Sequence, residues 1–97
     1  MGTFDHLHAC RDEILRLAVE FGARDVRIFG SAARGEDRED SDIDLLVRWD
    51  EQASLTDWAG FQQELERVLG RRVDVVSETG LHWYIRDRVL AEARPLP

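Results

Sequence analysis

Apolar residues recur at spacings of three and four in three stretches of the chain, the pattern typical of amphipathic helices. The first stretch covers residues 5–21, the second runs from Ser54 to Gly70, and the third must end before Pro95, because proline cannot continue a helix. Ser54 and Asp57 resemble a capping box at the start of the second helix. The apolar positions of the three predicted helices are Leu7, Cys10, Ile14, Leu17, Ala18 and Phe21; Leu55, Trp58, Phe61, Leu65, Val68 and Leu69; Leu81, Ile85, Val89 and Leu90.

Three shorter stretches have the composition of β-strands, namely residues 26–29, 42–47 and 72–76. The order along the chain is therefore helix, strand, strand, helix, strand, helix. This order predicts an α/β (α+β) fold in which helices pack on a small mixed sheet. At 97 residues, the chain has room for one domain, covering residues 1–97.

Aspartates occupy the polar positions of two predicted strands. In the second strand Asp42 and Asp44 alternate with core residues and share a face, and in the third strand Asp74 faces away from its valine neighbours. If the two strands are neighbours, three anions converge, and two such charges about 4 Å apart repel by about 4 kcal/mol at an effective dielectric near 20. A bound divalent cation relieves that repulsion. We therefore predict that Asp42, Asp44 and Asp74 are both metal ligands and catalytic residues.

Magnesium fits this oxygen-only ligand set, and two Mg²⁺ ions can clamp the attacking and leaving oxygens of a displacement at phosphorus. Asp42 and Asp44 are predicted to bridge the metals. Asp74 is predicted to hold the catalytic metal and to accept the proton of the incoming nucleophile.

A Gly-Ser turn precedes the first carboxylate pair by ten residues. Gly30 lets the backbone approach a phosphate closely, and Ser31 opens a short helix whose N-terminus favours anions. We predict that Gly30, Ser31 and Arg34 bind the triphosphate. Arg34 could equally hold in place the segment that follows it, residues 36–41, which we call the acidic loop.

The acidic loop also allows two plainer interpretations. Glu36, Asp37, Glu39 and Asp40 fit a solvated surface loop. Residues 40–44 match the opening of an EF-hand calcium loop, but its sixth position needs glycine and is Leu45 here. The calcium interpretation is therefore disfavoured.

Charge and composition restrict the partners. The net charge is −7, and all 13 basic residues are arginine, so tight binding to a nucleic-acid backbone is disfavoured and the lysine of a P-loop is missing. The lone cysteine, Cys10, excludes an intrachain disulfide, and no apolar run approaches 18 residues. We expect a cytoplasmic protein that binds neither a membrane nor, stably, a nucleic acid.

The residues Gly-Ser-Ala-Ala-Arg-Gly-Glu (30–36) and Ser-Asp-Ile-Asp-Leu-Leu-Val (41–47) resemble the signature of the minimal nucleotidyltransferases of the DNA polymerase β-like superfamily. Asp74 matches the third acidic position of that family, and the C-terminal stretch 84–93 resembles its last helix. The resemblance covers most of residues 5–93. It implies the nucleotidyltransferase fold.

The resemblance also implies a function. Similar proteins are antitoxins of type VII-like toxin–antitoxin pairs, which transfer AMP from ATP to a tyrosine of a cognate HEPN-domain ribonuclease toxin and release pyrophosphate. Two alternatives stay open: an antitoxin that neutralises its toxin by binding alone, and a small-molecule nucleotidyltransferase, of the aminoglycoside type, that works with a separate helical subunit.

The aromatic residues have less specific assignments. Trp58 and Phe61 are predicted to be core residues, whereas Trp49 and Trp83 fit either core or interface. Tyr84, the only tyrosine, is predicted to pack rather than to accept AMP. The three histidines lack metal-ligand spacing and fit surface or partner-contact positions.

Overall fold

A computed structural model describes residues 2–97 of the chain. Its α-helices are α1 (Thr3–Ala9), α2 (Arg11–Phe21), α3 (Gly30–Arg34), α4 (Leu55–Leu69) and α5 (Trp83–Glu92). Its strands are β1 (Ala23–Phe29), β2 (Ile43–Trp49), β3 (Val73–Ser77) and β4 (Arg94–Pro95), and a 3₁₀ turn covers Glu78–Gly80.

The four strands form one mixed sheet in the order β3-β2-β1-β4. Strand β1 is antiparallel to both β2 and β4, whereas β2 and β3 are parallel. Parallel neighbours need a crossover between them, and α4 supplies it. The α+β class and the mixed sheet predicted from the sequence are confirmed.

The core lies between one face of the sheet and helices α2 and α4. Alternate residues of β2 and β3 point into it, and the apolar stripes of the two helices meet them, as the spacing predicted. The fully buried members include Ile14, Ile43, Leu45, Val47, Phe61 and Leu65. The opposite face of β2 presents Asp44 and the buried Leu46.

Helix α4 begins and ends as the sequence indicated. The Ser54 hydroxyl accepts a hydrogen bond from the Asp57 N–H, the Asp57 carboxylate accepts one from the Ser54 N–H, and Gly70 ends the helix in the left-handed conformation. Leu55 was expected in the apolar stripe, but it is 81% exposed. As the first helical residue, it lies beyond the edge of the sheet-facing stripe.

The first predicted helix is instead two helices. The backbone leaves helical geometry at Cys10, which has φ −97° and ψ 4°. Helix α1 is held by segments distant in the sequence, which accounts for the break between α1 and α2. The His6 ring is 2.9 Å from the Leu69 carbonyl oxygen, and the Thr3 hydroxyl donates a hydrogen bond to the Asp37 carboxylate. His6 is therefore half-buried and not a free surface residue.

The C-terminal helix α5 differs most from expectation in its packing. None of its residues is fully buried, and Trp83 and Tyr84 at its start are 80% and 69% exposed. The packing role predicted for Tyr84 is wrong. Trp49, by contrast, packs against the core, with its ring centroid 5.9 Å from that of Phe61.

Candidate active site

Asp44 and Asp74 lie side by side on the sheet. They are register partners in the parallel pairing of β2 with β3, so their side chains leave the same face. Asp44 is half-buried, because β2 lies between β3 and β1, and Phe29 of β1 is its register partner on the other side. Asp74 lies on the edge strand and is exposed.

Strand β3 is held in place on both sides of Asp74. The N–H of Val73 donates to the Glu66 carboxylate at 3.0 Å, and the N–H of Val75 donates to the Gln62 amide oxygen at 3.3 Å. The Trp58 indole N–H also donates to the Val75 carbonyl at 2.9 Å. These side chains of α4 satisfy the edge of the sheet and orient Asp74 outward.

Asp42 precedes β2 and is exposed, whereas the alternation pattern placed it inside the strand. Burial, followed by the negative charges of Asp74 and Asp42, raises the pKa of the Asp44 carboxyl to about 6. Asp42 and Asp74 therefore both lie within electrostatic reach of Asp44. A group that resists ionisation among like charges suits a site that receives a cation.

Gly30 places the backbone directly against Asp44. Its φ of 72° is a left-handed conformation, and a Cβ atom there would lie 3.3 Å from Asp44 Cγ and closer still to its carboxylate oxygen. Only glycine combines this backbone angle with this close approach. Ser31 follows at the start of α3 and is half-buried, and its carbonyl accepts a hydrogen bond from the Glu36 N–H at 2.9 Å.

Arg34 projects from the end of α3 toward two carboxylates. Its guanidinium binds Glu36 at 3.0 Å and also pairs with Glu92 of α5. Its positive charge lowers the pKa of Asp44 while Glu92 raises it, so both side chains border the site. The loop-pinning role considered for Arg34 is therefore present in the structure, and contact with a triphosphate stays a prediction.

The donor set fits magnesium. Asp42, Asp44 and Asp74 offer only carboxylate oxygens, which Mg²⁺ prefers. Among residues 2–97, no three acidic, histidine or cysteine side chains already form a metal cage. The three predicted aspartates are therefore not gathered into one ligand cluster. The register pair Asp44 and Asp74 offers two carboxylates, and Mg²⁺ is commonly held by one or two carboxylates together with water and substrate phosphates.

Two residues bordering the site escaped sequence analysis. Glu92, on α5, contacts Arg34, which lies 58 positions earlier. Arg71, two positions before β3, binds the acidic loop. Asp37, expected to be solvated, pairs with Arg71 and has a side chain only 8% exposed. No local pattern marks these long-range partners.

Comparisons with known proteins identify relatives of the chain. The nucleotidyltransferase domain model matches residues 11–96. A Methanocaldococcus jannaschii protein, provisionally named a protein adenylyltransferase, is 40% identical over 88 residues, which cover 91% of this chain and 95% of the relative. The protein adenylyltransferase MntA of Thermococcus cleftensis is 43% identical over 76 residues, covering 78% and 77% of the two chains.

Solved structures share the same architecture. One, provisionally named a minimal nucleotidyltransferase, superposes with a TM-score of 0.89 at 51% identity and covers 99% of this chain and 97% of its own. Another, a tri-AMPylated HEPN toxin of Shewanella oneidensis in complex with an MNT antitoxin, matches with a TM-score of 0.69 at 18% identity, covering 94% and 71%. The similarity to this second structure shows a shared fold.

Among residues 2–97, no helix has the length and apolarity needed to cross a membrane.

Proposed function

This chain belongs to the nucleotidyltransferase family and is an enzyme of that class, and we propose that it transfers AMP from ATP to a tyrosine of a cognate HEPN ribonuclease toxin. The observation that supports the chemistry is the in-register pairing of Asp44 with Asp74 beside the close approach of Gly30. The acceptor is proposed from the relatives named as protein adenylyltransferases and from the fold shared with the Shewanella oneidensis complex.

In the proposed reaction, the tyrosine oxygen attacks the α-phosphorus of ATP. The bond between that phosphorus and the bridging oxygen of the leaving group breaks, and pyrophosphate departs. Asp74 receives the tyrosine proton, which its exposed position on the edge strand permits. The backbone N–H groups at Gly30 and Ser31, with Arg34, are proposed to bind the phosphates.

Asp42 and Asp44 would hold magnesium, and Asp74 would share in its binding. Two bound Mg²⁺ ions would supply charge neutralisation to the triphosphate and to the leaving pyrophosphate. The proposed acceptor is a protein and not a polynucleotide, because a chain of net charge −7 gains little from phosphate contacts. We place the reaction in the cytoplasm, where ATP and Mg²⁺ are abundant and the free Cys10 thiol stays reduced.

Mass spectrometry of the intact toxin tests the proposal. The toxin is incubated with ATP, Mg²⁺ and either the native chain, the double variant Asp42→Asn/Asp44→Asn, or the double variant Glu39→Gln/Asp40→Asn. The last pair removes the same charge from exposed residues of the same loop. We expect AMP on a toxin tyrosine with the native chain and with the loop variant, and none with the site variant.

The same incubations separate the alternatives when a ribonuclease assay and an added aminoglycoside are included. Ribonuclease inhibition by the site variant at full strength, with no AMP adduct from any chain, would indicate an antitoxin that acts by binding alone. AMP found on an added aminoglycoside, with the toxin unmodified, would indicate a small-molecule nucleotidyltransferase. Either result would overturn the proposed acceptor.

A further inference from the structure

One guanidinium holds the acidic loop that leads into β2. The Arg71 side chain is 15% exposed, and its Nη2 lies 3.2 Å from the Asp37 carboxylate, 2.9 Å from the Arg38 carbonyl and 2.7 Å from the Ser41 carbonyl. The two N–H groups of Nη2 are shared among these three acceptors. Six of the nine residues from 36 to 44 are acidic, so the loop repels itself. Arg71 bonds to both the backbone and a carboxylate of this loop and opposes that repulsion, in addition to the ion pair of Arg34 with Glu36.

The N-terminal helix supports the same cation. Thr3 of α1 accepts a hydrogen bond from Arg71 Nη1 at 2.8 Å and donates one to the Asp37 carboxylate. Burial raises the pKa of the Asp37 carboxyl, but the hydrogen bonds from Thr3 and Arg71 outweigh burial and hold it below its usual value. The carboxylate stays ionised, and the three side chains form a closed, charged network.

This network meets the chain next to a predicted metal ligand. The carbonyl of Ser41, bound by Arg71, immediately precedes Asp42. The N–H of Ile43, immediately after Asp42, donates to the carbonyl of Arg72 at 2.9 Å. Both peptide groups flanking Asp42 are therefore fixed by residues 71 and 72.

The same two residues lead directly into β3. Val73 begins the strand, and Asp74 follows Arg71 by three positions. The guanidinium thus connects the segment that presents Asp42 to the segment that presents Asp74. An arginine suits this task, because its planar fork of N–H groups binds several oxygens at fixed angles, which an ammonium cannot do.

We propose that Arg71 is a positioning residue that sets the spacing of Asp42 and Asp74 for a complex of a divalent cation with a nucleoside triphosphate. The inference rests on the proposed function, because it assumes that these aspartates bind that complex. Arg71 itself touches neither the cation nor the nucleotide. Its effect is to preserve the arrangement of the two carboxylates before the ligand arrives.

The test compares Arg71→Lys with Arg67→Lys. Both variants keep the charge, but Arg67 is exposed on α4 and forms an ion pair with Glu64, three positions earlier on the same helix. Calorimetry measures the affinity for Mn²⁺ together with a non-hydrolysable ATP analogue, and hydrogen exchange measures the protection of residues 36–43. For Arg71→Lys we expect affinity about tenfold weaker and faster exchange in the loop. For Arg67→Lys we expect affinity within about twofold of the native value.

Thr3→Val provides a milder variant, in case Arg71→Lys fails to fold. It removes one partner of the guanidinium and leaves the contacts to the loop carbonyls. We expect roughly threefold weaker binding of the Mn²⁺–nucleotide complex.

Native affinity in Arg71→Lys, or in Thr3→Val if only that variant folds, would overturn the inference, even if the loop exchanged faster. In that case the network would serve stability alone. A native chain that binds no Mn²⁺–nucleotide complex would overturn the proposed function as well, so the two failures are distinguishable.

Discussion

Asp37 and Asp44 lie seven positions apart, both half-buried, and their surroundings have opposite effects on their acidity. Asp37 faces the guanidinium of Arg71 and the hydroxyl of Thr3, which lower its pKa despite the effect of burial. Asp44 is buried beside Asp74 and near Asp42, which raises its pKa to about 6.

If the proposed function holds, this difference separates a structural carboxylate, Asp37, from a functional one, Asp44, within one acidic segment. A carboxylate whose partners are already in place stabilises the fold and needs no ligand. A carboxylate held among like charges destabilises the protein until a cation binds. Substitutions of these carboxylates and of the residues around them test that distinction.

Asp44→Asn should abolish catalysis and leave the fold intact. The amide keeps the shape of the side chain but removes a charge that the cation requires, so we expect adenylyl transfer to fall by at least about a thousandfold. Steady-state assays with the toxin and ATP measure the rate, and circular dichroism checks the fold. In the same assay, the activity of Asp37→Asn should fall by less than about tenfold. Equal losses of activity in the two variants would contradict the separation of a structural from a functional carboxylate.

Gly30→Ala should disable the site, whereas Gly35→Ala should not. Both glycines have left-handed φ angles, 72° and 71°, so alanine costs about 1–2 kcal/mol of stability at either position. Only at Gly30 does the new Cβ meet the Asp44 carboxylate, since nothing lies within 4 Å at Gly35. We expect activity to fall about a hundredfold in Gly30→Ala alone. Similar activity of the two variants would show that the close approach to Asp44 is unimportant.

Asp37→Asn should destabilise the protein. It leaves Arg71 without its carboxylate in a largely buried position, at a cost of about 2 kcal/mol after allowance for partial exposure. In a chain of this size, the melting temperature should fall by roughly 10 °C. The control, Glu39→Gln on the exposed part of the loop, should change the stability by less than about 0.5 kcal/mol.

The loss of stability in Asp37→Asn should depend on pH, because it comes from an ionised carboxylate. The native pKa of Asp37 is lowered from 3.8, so its contribution is present above pH 3.8 and disappears as the pH falls through the lower native value. The native chain and the variant should therefore converge in stability in strong acid. A constant difference down to that range would argue against ionic pairing.

Asp44→Asn should raise the stability of the metal-free protein at neutral pH. The pKa of Asp44 is raised from its ordinary value of 3.8 to about 6 in the folded chain. The native state therefore holds this proton more tightly than the unfolded state does, and it loses stability as the pH rises from about 4 to 6. After discounting for solvent screening, we expect about 1 kcal/mol, or roughly 5 °C in melting temperature, at pH 8 and no gain near pH 3. Thermal melts in chelator measure the gain, and its absence at pH 8 would contradict the raised pKa.

Local pattern predicted most of the elements. Spacings of three and four located α2, α4 and α5, and alternation located β2 and β3 to within a residue or two at most ends. The break at Cys10 and the two-residue strand β4 were missed, because contacts made by α1 and by the end of the chain define them. Periodicity reports which face of an element is apolar and not which distant segment it meets.

Local sequence was enough to predict the groups of the candidate site: two aspartates two positions apart at the start of a strand, a glycine at a sharp turn, and a third aspartate on a later strand. These features depend on neighbours along the chain, where side-chain direction follows from the strand period of two. Tertiary packing alone sets the parallel pairing of β2 with β3, which puts Asp44 opposite Asp74, and the hydrogen bond from Arg71 to a loop 30 residues earlier. Strand pairing and long-range ion pairs depend on the whole core, so no local pattern encodes them.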